Sequence, residues 1–535
     1  MENIQDIESI KLFGREHIKV FAHRPSSLRE IVQNTVSNYP QKIALILEDK
    51  QMTYEEVDEK STVLGAAFQQ KYGIKKGDRI VCLIGNNLNF PLVAVACIKI
   101  GAVMIPVNIK LTASEISYII GHSKPHLIIV DEDLLPVIKE CREEYKEVTP
   151  YAKAIIQVGG VSSGDTISSL LSEEYDIQEV MIEETDPAYI LYTSGTTGRP
   201  KGAVLSHINV IHTLLHYQRG LQTTNEARTM IAVPLFHVTG LVAQFLHMFY
   251  IGGSSVILKR YQNEEYIKQC FDFKVNFQFN APTIFIMMAT SPSLKERSFD
   301  FVHTVAYGGS PIYQQTLEKL REVFPNATYH NVYGATETTS PTTMMPASYP
   351  ITKATSVGLP VETAEVKVVD SLGNEVGHGV AGELLIKGPM VIGDYWDNNV
   401  ANESSFVDGY WKSGDIAKMD EDGFVYILDR MKDMINRGGE KIFSVEVEDV
   451  LKSHPEIIEV AVIAIPDEIY IEKVKAFIVS NTLNEANQDA IRGYCSQYLA
   501  KFKVPEVYEF IDALPKTASG KILKHTLRPQ YSNLK

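Results

Sequence analysis

The sequence predicts an α/β protein: a large N-terminal domain of parallel-type sheets with helices plus a small β subdomain, followed by a small α+β C-terminal domain. Three observations predict it. Short β-rich runs alternate with helix-length segments through the first part of the chain, the pattern of parallel sheets covered on both faces. From Ala364 the texture changes to short strands joined by Asp/Gly turns, as in an antiparallel subdomain. After Asp429-Arg-Met-Lys-Asp433 a compact α+β pattern begins, so the main boundary is placed at that 429–433 junction: 1–430 large, 431–535 small.

The first strand is read at Lys42 to Leu47. Thr53-Tyr-Glu-Glu56 then offers a capping box ahead of a helix through Val57, Leu64 and Phe68. Arg79 to Ile84, Val103 to Val107 and His126 to Val130 are further strands. Phe90 to Ile109 is apolar enough to suggest a membrane span, but Pro91, Lys99, Gly101, Pro106 and Asn108 interrupt it, and a buried helix running into a buried strand is expected instead. Val366 to Val369, Gly382 to Lys387 and Phe424 to Leu428 form the β subdomain. The C-terminal part should hold a helix near Val445 to Ser453, strands at Val460 to Ile465 and Lys475 to Val479, and a helix through Ile491, Cys495, Tyr498 and Leu499.

At 535 residues the chain is long enough for two to four domains, and 45% hydrophobic with 22% charged residues is ordinary globular composition. A net charge of −15 argues against a nucleic-acid partner, which needs surplus cations to displace phosphate counterions. Cys82, Cys97, Cys141, Cys270 and Cys495 are scattered and odd in number, so neither a disulfide framework nor a thiolate metal site is indicated. The N-terminus shows no basic region followed by an apolar stretch, so a cytoplasmic location is expected and the Asn326 and Asn402 sequons are read as chance.

The chemistry concentrates in Tyr192-Thr-Ser-Gly-Thr-Thr-Gly-Arg-Pro-Lys-Gly202. Its glycines let backbone amides approach a ligand, while Thr193, Ser194, Thr196, Thr197 and Lys201 supply donors suited to phosphate oxygens. It is not a Walker loop, because Pro200 precedes the lysine and no Gly-Lys-Ser/Thr occurs. Gly377-His-Gly-Val-Ala-Gly382 formally matches the dinucleotide pattern but precedes a strand, so it reads as a turn. His212 and His216 lie four apart without the glutamate of a zinc-protease helix and read as a structural face.

Four more segments accompany the loop in order: Pro234-Leu-Phe-His-Val-Thr-Gly240, Tyr333-Gly-Ala-Thr-Glu-Thr338, Tyr410-Trp-Lys-Ser-Gly-Asp-Ile-Ala417 with Asp429-Arg430, and Pro515-Lys-Thr-Ala-Ser-Gly-Lys521. Together they resemble the adenylate-forming superfamily, and within it the acyl-CoA synthetase or fatty-acid–CoA ligase type. The resemblance spans at least residues 190 to 521. It implies an ATP-dependent acid–thiol ligase that joins a carboxylic acid to AMP with release of pyrophosphate and then passes the acyl group to coenzyme A.

The resemblance also implies roles. The phosphates would meet Thr193, Ser194, Gly195, Thr196, Thr197, Gly198 and Lys201, with Thr336 on the α-phosphate and Glu337 holding Mg²⁺. Tyr333 and Gly334, with Gly308 and Gly309, would frame the adenine, and Asp415 and Arg430 would hold the ribose. Lys521 would bridge carboxylate and phosphate oxygens in the first step. His237, Tyr307 and Ala335 would line the acyl pocket, His237 also gating it, with Asn280 to Phe285 as a further wall. Lys432 would be the hinge, and Gly438 and Gly439 would line the coenzyme A channel with Glu446 supporting that loop.

A carboxylate is a poor acyl donor, and its attack on a triphosphate brings anions together, so cations placed where charge accumulates make chemical sense. The second step needs no protein nucleophile. The apolar candidate pocket and the absence of an acidic partner for an α-amino group point to a fatty acid; an aryl acid, or a carrier protein as acceptor, are the alternatives. A luciferase-like oxygenase and a binding protein that has lost catalysis are the readings from other classes. The partners expected are small molecules only, with no transmembrane segment; oligomeric state is left open.

Overall fold

The computed structural model describes residues 6–144, 152, 154–160, 164–193, 199–294, 298–309, 314–517 and 521–528. They divide into two compact units: Met1–Ala354 with Gly358–Glu365 and Ile386–Trp411, and Thr355–Val357 with Val366–Leu385 and Lys412–Lys535. The 429–433 junction thus lies inside the second unit. The reason is hydrogen bonding: Val425–Arg430 pairs antiparallel with the 415–419 part of Tyr410–Met419, and Ser444, at the head of the next helix, binds Asp429.

The first unit holds two large sheets. One has six strands in the order Lys201–Ser206, Pro187–Thr193, Val103–Pro106, Arg79–Leu83, Leu127–Asp131, Ala154–Val158. The other has nine, in which Thr328–Tyr333, Thr304–Gly308, Phe277–Asn280, Arg228–Ile231, Ser254–Ile257 and Ile43–Leu47 run parallel side by side. Such strands are covered on both faces, which is why Ile80-Val-Cys-Leu83 is an unbroken apolar run with every residue at 0% exposure.

The helices between them begin where side chains can satisfy free amides. Thr53 and Glu56 form the expected capping box of Tyr54–Gln70, and Thr112 with Glu115 forms another for Ala113–Ser123. Phe90 to Ile109 resolves into the buried helix Asn89–Ile100 and the buried strand Val103–Pro106. Among the described residues no helix is long and apolar enough to cross a membrane. Leu64, Phe68 and Val93 share one core with Ile211 and Leu214 of helix His207–Leu221 and with the strand residues Leu45 and Ile80, so the core joins both sheets.

That core also buries histidines. His207 accepts the Leu28 amide (3.1 Å), His212 lies between the Phe21 amide (3.2 Å) and the Ile208 carbonyl (2.9 Å), and His247 meets Thr223 Oγ1 (2.8 Å). Burial pushes His207 and His212 down to about 4 and His247 to about 3. Below the ordinary value of 6.5 the unfolded chain takes up protons that the folded chain refuses, so stability is full above that pH and falls with acid. Urea unfolding at pH 7, 6 and 5 should show a stability loss for each such histidine that steepens below 6.5 toward a limit of about 1.4 kcal/mol per pH unit, roughly 2 kcal/mol over the whole range; a flat profile would contradict their neutral burial.

In the second unit a sheet ordered Glu440–Ile442, Ile435–Arg437, Ile471–Val479, Glu459–Asp467, with Val507–Phe510 parallel to Ile471–Val479, packs on helices Ser444–Lys452 and Gln488–Tyr498. Its core comprises Ile435, Val447, Leu451, Val462, Ile478 and Ile491.

Candidate active site

In open parallel sheets ligands bind at the carboxyl ends of strands. The expected site residues of the first unit stand at such ends: Thr193 closes Pro187–Thr193, Gly308 closes Thr304–Gly308, Tyr333 closes Thr328–Tyr333, and His237 follows Arg228–Ile231. A surface recess of about 470 Å³ lined by Arg321, Tyr329, Ala347 and Tyr349 lies at the opposite, amino end of Thr328–Tyr333 and is not this site.

Thr193 and Lys201 face each other across an antiparallel hairpin, so the phosphate-loop composition sits between two paired residues. Ser194, Gly195, Thr196, Thr197 and Gly198 lie outside the described residues. The described base of the hairpin is braced by His122 Nδ1 against the Tyr192 hydroxyl (2.8 Å) and by the Tyr118 hydroxyl donating to the Pro200 carbonyl (3.2 Å).

Glu337 lies on the single turn Thr336–Thr338. Its Oε1 accepts from the hydroxyls of Thr193 (3.3 Å) and Tyr395 (3.1 Å), and Trp411 Nε1 donates to the Tyr395 oxygen (3.2 Å). The Lys201 ammonium stands 5.1 Å from the Tyr395 ring centroid, a cation–π placement. Burial, then the Glu337 charge, raises the Tyr395 phenol, so it stays a hydrogen-bond donor. Sequence reasoning misses Tyr395. It lies 58 positions from Glu337, and no local pattern marks it.

The turn carrying Glu337 is tightly built. A Cβ on Gly334 would stand 1.4 Å from the Ser340 carbonyl oxygen, so only glycine fits. Beyond Glu337, Thr339 (φ 52) and Ser340 (φ 112) adopt left-handed backbone, a costly conformation for both. It is held by Thr213 Oγ1 on the Thr339 carbonyl (3.2 Å), Thr339 Oγ1 on the Met390 carbonyl (2.8 Å) and the Tyr217–Ser340 hydroxyl pair (2.5 Å). Gly334→Ala should therefore displace Thr336 and Glu337, lowering about 100-fold the acid-dependent pyrophosphate release that the resemblance implies, in protein that still folds; a variant with full activity would show the turn to be compliant.

His237 stands just before the π-helix Thr239–Leu246, a form often found at functional positions. Its Nδ1 accepts the Thr239 amide (3.2 Å), which leaves the neutral ring's proton on Nε2. Tyr307 is 1% exposed, in a core with Phe285 and Leu320, so the backbone of Gly308 and Gly309 is the accessible part of that segment. Ala335 is extended (φ −134, ψ 172) and half-buried, next to Thr336.

The second unit gathers the remaining expected residues. Asp415 and Arg430 are opposite each other in a β pair, with Arg430 Nε 2.8 Å from Asp415 Oδ1. Lys521 is exposed over much of its surface; dehydration of its amine, then repulsion from Arg430 against attraction from Asp415, with smaller effects of Lys432 and Asp433, lowers its pKa to about 8. The Thr517 amide donates to the Lys521 carbonyl (2.7 Å) and the Lys521 amide to Thr517 Oγ1 (3.1 Å), tying together the two residues that flank Ala518, Ser519 and Gly520, which lie outside the described residues. Gly438 and Gly439 both have left-handed backbone (φ 60 and 96), and the Gly438 amide donates to the Tyr470 carbonyl (2.7 Å). Glu446 pairs with Lys503 at 2.6 Å.

A hard dication takes oxygen ligands and keeps much of its shell for water and phosphate. Glu337 offers one carboxylate with its second oxygen unbonded among the described residues, and no cluster of three or more metal-ligating side chains occurs among them. The donor set fits a magnesium ion shared with nucleotide phosphates. All five cysteines are buried, so none is placed as a nucleophile.

Comparison with known proteins adds the following. Residues 32–396 match the model of the AMP-binding enzyme family, and residues 446–521 that of the AMP-binding enzyme C-terminal domain. The chain is 31% identical to a 2-succinylbenzoate–CoA ligase of Bacillus licheniformis, over 91% of this chain and 97% of that one. It is 29% identical to a long-chain-fatty-acid–CoA ligase of Salmonella typhimurium, over 95% of each. Among solved structures, anthranilate CoA ligase AuaEII in complex with anthranoyl-AMP superposes with a TM-score of 0.88 at 25% identity, covering 94% of this chain and 97% of that one. The o-succinylbenzoate coenzyme A synthetase of Bacillus subtilis in complex with ATP and magnesium ion gives 0.82 at 28%, covering 93% and 98%.

Proposed function

Because this chain belongs to the AMP-binding enzyme family, we propose that it is an ATP-dependent acid–thiol ligase acting through an acyl adenylate, with coenzyme A as acceptor. In the first step a carboxylate oxygen attacks the α-phosphorus of ATP, a P–O bond to pyrophosphate breaks, and acyl-AMP forms. In the second, the thiol sulfur of coenzyme A attacks the acyl carbon, AMP leaves and the thiol proton is released.

The observation that carries this reading is the meeting of Asp415, Arg430 and Lys521: a carboxylate suited to ribose hydroxyls beside two cations suited to phosphate and carboxylate oxygens. At about 4 Å and an effective dielectric near 20, one unit pair is worth roughly 4 kcal/mol, so a lysine aimed at the reacting anions can decide the first step. Glu337, held by Thr193 and Tyr395, would hold Mg²⁺, which supplies charge neutralisation on the phosphates. Thr336 is placed for the α-phosphate, and Tyr333, Gly334, Gly308 and Gly309 for adenine. Lys201 and the residues 193–198 would receive the remaining phosphates. His237 and Ala335 are assigned to the acyl pocket; Tyr307, expected there too, is buried in the core behind the Gly308–Gly309 backbone and is withdrawn from the pocket wall.

Residues 431–535 are proposed to act as a lid turning at Lys432 between the two steps, with Gly438 and Gly439 lining the thiol channel in the second. Five buried thiols, none in a disulfide, suit a reducing cytoplasm.

The acid is proposed to be a fatty acid, in keeping with the long-chain ligase among the relatives. The second reading, an aryl acid, is favoured by the 2-succinylbenzoate and anthranilate ligases. A panel of straight-chain and aromatic acids assayed for ATP-dependent pyrophosphate release, with free coenzyme A or a pantetheinylated carrier protein as acceptor, distinguishes these. No release with any acid would refute the ligase reading.

A further inference from the structure

We infer that Lys524 and Arg528 are positioning residues for acid activation, fastening the segment that leaves the Lys521 loop to the strand and turn carrying Arg430 and Lys432; this rests on the ligase reading above. Lys524 Nζ stands 2.6 Å from Glu448 Oε1 and donates to Ser444 Oγ at 2.7 Å. Ser444 in turn gives both its hydroxyl (3.0 Å to Oδ1) and its amide (2.5 Å to Oδ2) to Asp429, whose Oδ1 also accepts the Arg430 amide (2.8 Å). Four residues beyond Lys524, Arg528 donates to Asp433 Oδ1 (2.6 Å) and to the Lys432 carbonyl (3.0 Å).

The Lys524 end of the arrangement is the protected one; the Arg528 side chain is 30% exposed, and its Nε has no hydrogen-bond partner among the described residues. The Lys524 and Glu448 side chains are 14% and 11% exposed, and Glu448 Oε1 also accepts the Val462 amide at 2.7 Å. Asp429 is 3% exposed. Buried charges this well bonded hold geometry because any shift leaves a charge unpaired in a poorly hydrated place. The Lys521 loop, tied at Thr517, takes its placement on the carboxyl side from these two cations. They touch no reacting atom; they act through Lys521.

Only the first step brings two anions together and draws on Lys521, so the two half-reactions separate a positioning role from a merely structural one. The variants are Lys524→Met, Lys524→Arg, Arg528→Gln and the charge-balanced Lys524→Met/Glu448→Gln. Each is assayed for ATP–pyrophosphate exchange, for thioester formation from supplied acyl-AMP, and for thermal unfolding. Lys524→Met and Arg528→Gln are expected to lower kcat for exchange about 10- to 100-fold, as a misplacement near 1 Å does, with the KM for ATP and the thioester step changed by less than about threefold. Lys524→Arg should recover most of the exchange. The double variant, in which Glu448 carries no charge and Asp429 keeps its hydrogen bonds from Ser444 and the Arg430 amide, should unfold near the wild-type temperature yet still exchange slowly. Wild-type exchange in the double variant, or equal loss in both half-reactions, overturns the inference. A wild-type protein that exchanges with no acid overturns the ligase reading instead.

Discussion

Lys521→Ala is expected to suppress acid-dependent pyrophosphate release about 100- to 1,000-fold, the usual effect of removing one charge aimed at a transition state, while thioester formation from supplied acyl-AMP stays near the wild-type rate. The division follows from charge. In the first step a carboxylate approaches a polyphosphate, and the proposed role of the lysine is to offset their repulsion. In the second a thiol meets an acyl group that already carries its leaving group. The lowered pKa of about 8 adds a pH signature: the ammonium is lost as pH rises through about 8, rather than near the ordinary 10.5. In the wild type kcat/KM for pyrophosphate release should fall on the alkaline side of that value. Equal damage to both half-reactions in Lys521→Ala would show that the lysine does something other than activate the acid.

Glu337→Gln is the second large effect. The amide oxygen can still accept from Thr193 and Tyr395, so the turn from Ala335 to Ser340 should keep its shape and the protein its melting temperature. What disappears is the negative charge, and with it the hold on magnesium proposed for Glu337. Pyrophosphate release should drop about 100-fold or more, and the Mg²⁺ needed for half-maximal activity should rise. Titrating Mg²⁺ against initial rate checks this. An unchanged magnesium requirement would remove Glu337 from the metal assignment, whatever happened to kcat.

These two residues also show how far the sequence can be read. Thr53 with Glu56, the apolar strand Arg79–Leu83 and the passage from helix Asn89–Ile100 into strand Val103–Pro106 are legible because capping chemistry and periodicity act within a few residues. Residue types suited to nucleotide oxyanions are legible for the same reason. Tyr395 is not, since its hydroxyl reaches Glu337 only after the chain has built several strands between them. Nor is the π-helix after His237, whose apolar residues look like any buried helix.

The sequence by itself determined the α/β class, the order of strands and helices, and the kinds of donor and cation available to a nucleotide, because hydrophobic period, turn chemistry and charge are local properties. Only the tertiary structure decided which of these meet: that Asp415, Arg430 and Lys521 share one unit, that Glu337 is held by Thr193 and Tyr395, and that 412–430 packs with the C-terminal segment. Those meetings depend on strand pairing and burial between residues far apart in the chain, and no local pattern encodes which distant partner will satisfy a buried charge.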